Sequence, residues 1–137
     1  MALRKPGGSN RPLGIFHQGG KLMRIHNLYA DETGETHFRD IEIELIESGP
    51  DGTTSKTLPA TGIIFRTTPA DWHFDWHHAT RRQYVINLDA PHQVSASDGE
   101  TRTIGAGEII LYEDLHGKGH LSQGLGTFRH SIMIPVD

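Results

Sequence analysis

From residue 39 onward, apolar and polar positions alternate along the chain. In RDIEIELI (residues 39–46), Ile41, Ile43 and Leu45 are separated by Glu42 and Glu44. That is the period of a strand with one face against a core and the other against water. Six further segments are short and carry β-branched or aromatic residues: TGIIFRT (61–67), RQYVINL (82–88), HQVSAS (92–97), TRTI (101–104), EIILYE (108–113) and FRHSIMIPV (128–136). Turn signals fall between them, at Asp51-Gly52, Asp98-Gly99 and Gly105-Ala106-Gly107. No window carries a helical stripe with caps. The pattern predicts an all-β protein built as a sandwich, barrel or jelly roll.

With 137 residues the chain is expected to form one domain around a single core. Residues 1–22 are rich in Gly, Pro, Asn and Arg and lack apolar periodicity, so they read as a flexible arm or an expression remnant. Met23 opens MRIHNLYA, which reads as the natural start of a folded domain over 23–137. A net charge of −4 with scattered basic residues argues against a nucleic-acid partner. No apolar run approaches the roughly 20 residues of a membrane helix, and no signal-peptide core is present, so a cytoplasmic home is the default expectation. Cysteine is absent, so any metal has to be held by nitrogen and oxygen.

Chemistry concentrates in DWHFDWHHATRRQY (71–84), with three of the ten histidines. Strict strand alternation over 71–78 places His73, Asp75 and His77 on one face, and Trp72, Phe74, Trp76 and His78 on the other. Two imidazoles and a carboxylate on one face suit either a polar ligand or metal site in a barrel mouth, or a solvated strand with surface histidines. Arg81, or its neighbour Arg82, is a candidate for bidentate binding of a carboxylate or phosphate, although such pairs are more often surface charge. The chain carries no zinc-protease, nucleophile-elbow, Walker or dinucleotide signature.

Two blocks, Trp76-His77-His78-Ala79-Thr80-Arg81-Arg82-Gln83 and Glu113-Asp114-Leu115-His116-Gly117-Lys118-Gly119-His120, follow one another in order. In them the sequence resembles the cupin superfamily, and most closely its small, uncharacterised bacterial single-domain members. The likeness covers roughly residues 60–134. It implies a double-stranded β-helix, or jelly-roll barrel, in which His77 and His120 face each other inside one cavity.

The superfamily's usual metal site is three histidines and a glutamate. The matching positions here are His77, Ala79, Gln83 and His120, so two imidazoles remain and the carboxylate has become an amide. In the second motif Leu115 stands for a proline and Gly124 for an asparagine. The resemblance therefore implies one divalent metal (zinc, nickel or iron) held by His77, His120 and Gln83, with His73, Asp75 and Arg81 as ligand-binding candidates. Without a metal, His77 and His120 remain proton-transfer candidates, with Asp75 or Asp114 orienting one ring, as in metal-free sugar-nucleotide epimerases of the superfamily.

Two functions stay open. One is a metal-assisted enzyme, an oxygenase or isomerase, acting on a small polar or anionic substrate. The other is a non-catalytic binding or sensing module with a degenerate metal site. The resemblance also implies a homodimer paired through edge strands.

Overall fold

The computed structural model describes Phe16–His17 and residues 22–137. The expectations for the other residues of the 1–22 arm lie outside the described residues. Strand β1 (Phe16–His17) pairs with the start of β2 (Leu22–Ala30), which forms a long antiparallel hairpin with β3 (Thr36–Ile43). A minor ribbon follows, β4 (Ile46–Glu47) with β5 (Thr53–Thr54), joined through a single 3₁₀ turn at Gly49–Asp51.

The remaining strands are β6 (Ile64–Thr68), β7 (His73–His77), β8 (Gln83–Asn87), β9 (His92–Ala96), β10 (Thr101–Ile104), β11 (Ile109–Glu113), β12 (His120–Gly124) and β13 (Arg129–Pro135). Their pairing gives the architecture. One sheet runs β6–β13–β8–β11, and the facing sheet runs β7–β12–β9–β10. Chain-consecutive strands alternate between the two sheets until the β9–β10 hairpin, and the second half folds back to lie between strands of the first. This is jelly-roll connectivity, one of the all-β architectures that the pattern allows and the one that the resemblance implies. The β2–β3 hairpin widens the first sheet through a parallel β2–β11 pairing.

Interior positions follow the alternation within each strand. On β9, His92, Val94 and Ala96 are buried while Gln93 and Ser95 are partly exposed. Leu28 of β2, Phe38 of β3, Val85 of β8, Ile104 of β10 and Ile110 of β11 join Val94 in one core. Burying such side chains is worth about 1.5–3 kcal/mol each, which is what holds the sheets face to face. The Asp98-Gly99 turn closes the β9–β10 hairpin with Ala96 N–H donating to the Glu100 carbonyl at 2.8 Å.

Two departures from simple alternation shape the cavity. The β7–β12 ladder pairs His120 with His77 but Ser122 with Phe74, so β7 carries one extra residue between them. A β-bulge of this kind reverses the phase of the strand. The face expected to carry His73, Asp75 and His77 together is therefore split. Phe74 and His77 line the cavity, Phe74 with about half of its surface still exposed, whereas His73 and Asp75 are exposed and do not line it. The second departure is at Gly117 and Gly119, both with positive φ. A Cβ at Gly119 would fall inside the backbone of His77, and one at Gly117 inside the backbone of Gly34. Only glycine lets the loop leading into His120 lie so close to β7 and to the β2–β3 turn. Thr36 Oγ1 donates to the Gly119 carbonyl at 2.8 Å and Lys118 N–H to the Gly34 carbonyl at 2.8 Å, which fixes the loop there.

Candidate functional site

A cavity of about 240 Å³ opens between the two sheets. His77 reaches it from the end of β7, Gln83 from the start of β8, Tyr112 from β11 and His120 from the start of β12, while Arg66 and Trp72 close the β6 side. The imidazoles of His77 and His120 lie 4.4 Å apart, centroid to centroid, tilted by 55°. Phe74 stacks on the outer face of His77 at 3.6 Å, and Tyr112 lies 4.9 Å from His120.

Each imidazole is anchored through its Nδ1. His120, 4% exposed, donates Nδ1–H to Oδ2 of Asp114 at 2.6 Å. Asp114 is fully buried, and its other oxygen, Oδ1, has no partner. His77 donates Nδ1–H to the carbonyl of Asp75 at 2.8 Å. With Nδ1 so engaged, Nε2 is the nitrogen of each ring left to face a ligand. Burial, and after it the neighbouring His120, lowers the pKa of His77 below the usual imidazole value, so His77 is neutral at physiological pH.

Behind this pair runs a buried polar chain. Arg129 Nη1 donates to Asn87 Oδ1 at 2.8 Å, which orients the amide so that Nδ2 donates to His92 Nδ1 at 2.9 Å. His92 Nε2–H in turn reaches the Tyr112 hydroxyl at 3.1 Å. Burial, with Arg129 and Arg66 nearby, pushes the pKa of His92 well down, so it stays neutral and in that one tautomer. Burial also raises the Tyr112 phenol above its ordinary value, and its hydroxyl interacts with Ser122. Arg129 is drawn down to about 10, first by burial and then by Arg66, and still carries its charge at neutral pH.

The other sequence candidates lie elsewhere. His73 is exposed, and Asp75 is exposed with Oδ1 accepting the backbone N–H of Trp76. Arg81 is exposed in the β7–β8 connection and does not line the cavity, and Arg82 donates from Nε and Nη2 to the single oxygen Oε2 of Glu113 at 2.9 and 2.7 Å. His37 sits between Asp31 and Asp98, away from the cavity. Four residues of the site were not singled out beforehand: Arg66, His92, Tyr112 and Arg129. For His92 a signal exists, since it shares the phase of Val94 and Ala96. For Arg66 and Arg129 the residue type itself misleads, because arginine is usually exposed.

The donor set fits a divalent metal poorly. Gln83 Oε1 is buried and unpartnered, so two free imidazole nitrogens and one amide oxygen are the atoms on offer. None of the three is an anion. No Asp or Glu lines the cavity, and an arginine does. Among the described residues, no three His, Asp or Glu side chains gather as a metal site would require. A hard or borderline divalent ion gains most from anionic ligands, and none is present to offset the nearby guanidinium.

Comparison with protein-family models finds no match, and comparison with curated proteins finds none either. Two crystal structures are similar. Protein NMB1881 from Neisseria meningitidis has a TM-score of 0.45 and 16% identity, over 55% of this chain and 72% of that one. A putative ethanolamine utilization protein Q from Salmonella typhimurium has a TM-score of 0.39 and 11% identity, over 85% and 98%. Likenesses this distant add nothing to the argument from the strand connectivity and the cavity. Among the described residues no helix is long and apolar enough to cross a membrane.

Proposed function

We propose that this chain is a cupin-type protein that binds a small polar molecule in the β7–β8–β11–β12 cavity and moves a proton on it, in the manner of an isomerase, without a metal. One observation carries the reading: the His120 Nδ1–Asp114 Oδ2 hydrogen bond of 2.6 Å, with the His120 ring on the wall of a cavity that no carboxylate lines. The buried carboxylate holds the ring in the tautomer that leaves Nε2 as a base, and it stabilises the imidazolium that forms when Nε2 takes a proton. The proton that His120 Nε2 takes up is the one it returns to a neighbouring atom of the ligand, while His77, neutral and 4.4 Å away between ring centres, is placed to accept a hydrogen bond from a ligand hydroxyl at its bare Nε2. Phe74, Trp72 and Tyr112 form apolar walls, so charge developing on a ligand meets few competing waters.

The test is solvent-deuterium incorporation into a panel of small hydroxy- and oxo-acids and sugars, followed by proton NMR with chelator-treated protein. Incorporation is expected to survive chelation, to fall about 10²–10⁴-fold in His120→Asn, and to fall about 10²-fold or more in Asp114→Asn, where the amide favours the wrong tautomer. Incorporation that appears only on adding zinc, nickel or iron overturns the metal-free reading in favour of His77, His120 and Gln83 as ligands. Saturable binding with no exchange of any compound overturns catalysis and leaves a binding or sensing module.

A further inference from the structure

The β6 side of the cavity holds a second arrangement that proton transfer does not use. Arg129 is 2% exposed, yet of its three nitrogens only Nη1 is bonded, to Asn87; Nε and Nη2 are buried without any acceptor. Those two atoms form the side-on edge of the guanidinium, the edge that grips a carboxylate with two parallel hydrogen bonds. Directly across the ladder from Arg129 is Thr68, whose buried Oγ1 also lacks a partner. Three of the five unpartnered buried side-chain atoms among the described residues thus belong to one cross-strand pair.

Arg66 lies two residues before Thr68 on β6 and faces Ser131, with only a long 3.4 Å bond from Nε to its hydroxyl. Both guanidiniums pack near the Trp72 ring, at 5.9 Å for Arg66 and 5.4 Å for Arg129. Neither makes an ion pair with a described carboxylate, whereas Arg39 and Arg82 pair with Glu113, and Arg102 pairs with Asp40 and Glu100. Two adjacent cations, one buried and one partly buried, that make no ion pair are costly, because desolvation and mutual repulsion act in the same direction and Asp89 offsets only part of this at Arg129. The group that would relieve both is an anion arriving from the cavity, where Arg66 and Trp72 are on the wall.

We propose that the Arg66–Trp72 end of the cavity is a carboxylate subsite, with Arg66 as the direct contact and Arg129 as the second cation behind it. The inference rests on the reading of the cavity as a ligand site, and it narrows the ligand class to small carboxylic acids. The Nη1/Nη2 edge of Arg66, whose one side-chain bond among the described residues is the long one through Nε, offers a planar carboxylate two parallel hydrogen bonds. The space agrees, since about 240 Å³ is on the order of eight water volumes of ~30 Å³ each, enough for a compact acid.

Acetate is the probe. Full-length protein is titrated with sodium acetate, with sodium chloride at equal ionic strength and with inorganic phosphate, while the arginine Nε–H resonances are followed by NMR. Acetate is expected to bind saturably and to shift the Arg66 and Arg129 resonances, whereas chloride does neither. Arg66→Gln should weaken acetate binding about tenfold or more, the loss of one charge-assisted hydrogen-bonded contact. His37→Gln, at a residue away from the cavity, should leave acetate binding within about twofold. Saturable phosphate binding without acetate binding overturns the carboxylate assignment. Equal responses of the wild type and Arg66→Gln to acetate overturn the subsite, while leaving deuterium exchange through His120 to stand or fall separately. Should Arg129 variants fail to fold, Arg66→Gln carries the test alone.

Discussion

Single residues in this interior are held in defined protonation states, and that makes stability depend on pH. His92 is buried, accepts from Asn87 and donates to Tyr112, and its pKa lies well below the usual 6.5. The folded protein therefore leaves His92 neutral where the unfolded chain takes up a proton. The unfolded state binds more protons below about pH 6.5, so stability falls as pH drops from there, by up to about 1.4 kcal/mol per pH unit for this one group. His77, lowered for the same reason, adds to the slope in the same direction. His37 has a raised pKa through its bond to Asp31, so its contribution is present at acid pH and lost as pH rises through that higher value; being exposed, it is largely screened. Urea denaturation between pH 7 and pH 5 should show the loss, and His92→Gln should make the dependence shallower. An unchanged slope in that variant would place the acid sensitivity elsewhere. His92 was legible as an interior residue from its phase in HQVSA. What the imidazole does there was not, because its partners Asn87 and Tyr112 come from other strands.

At the level of elements, the site depends on two backbone irregularities of opposite legibility. Gly117 and Gly119 stand in the sequence as a spaced pair ahead of His120, and the structure supplies the reason: the loop passes too close to His77 and Gly34 for any side chain. Gly119→Ala is expected to cost on the order of 3 kcal/mol or more, through both the positive φ and the collision with β7, and to pull His120 away from Asp114. Thermal unfolding reads the first effect and the His120 imidazole NMR signals the second. A variant with wild-type stability would mean that the loop tolerates a shifted path. The β7 bulge had no comparable signal. DWHFDWHH alternates cleanly, and nothing local reports an extra residue that appears only when β7 is laid against β12. For that reason the inward residues of β7 are Phe74 and His77 rather than the set predicted from a period of two.

For the molecule as a whole, the all-β class was readable from short segments of β-type residues, which left a sandwich, a barrel or a jelly roll; the jelly roll itself came from the resemblance in the blocks at 76–83 and 113–120, because pairing order is set by contacts distant in sequence. Closure also leaves edges. Strand β6 ends the larger sheet and is paired on one side, by β13. Phe65 in it is 74% exposed, with Ile63 and Ile64 exposed beside it. An unpaired apolar edge favours association with a second copy. Sedimentation at micromolar concentration is expected to give a dimer, and Phe65→Lys a monomer with unchanged fold. A wild-type monomer under those conditions would remove the expected homodimer.

The clasp between the first hairpin and the loop before His120 has a further consequence. Gly34 and Thr36 hold residues 118 and 119 in place, so the imidazole at 120 owes its position partly to a stretch of chain more than eighty residues upstream. The hairpin is thus no detachable decoration of the jelly roll. A shortened version beginning at β6 would keep every side chain of the cavity and still lose the alignment among them, and circular permutants opened between β3 and β6 would keep it.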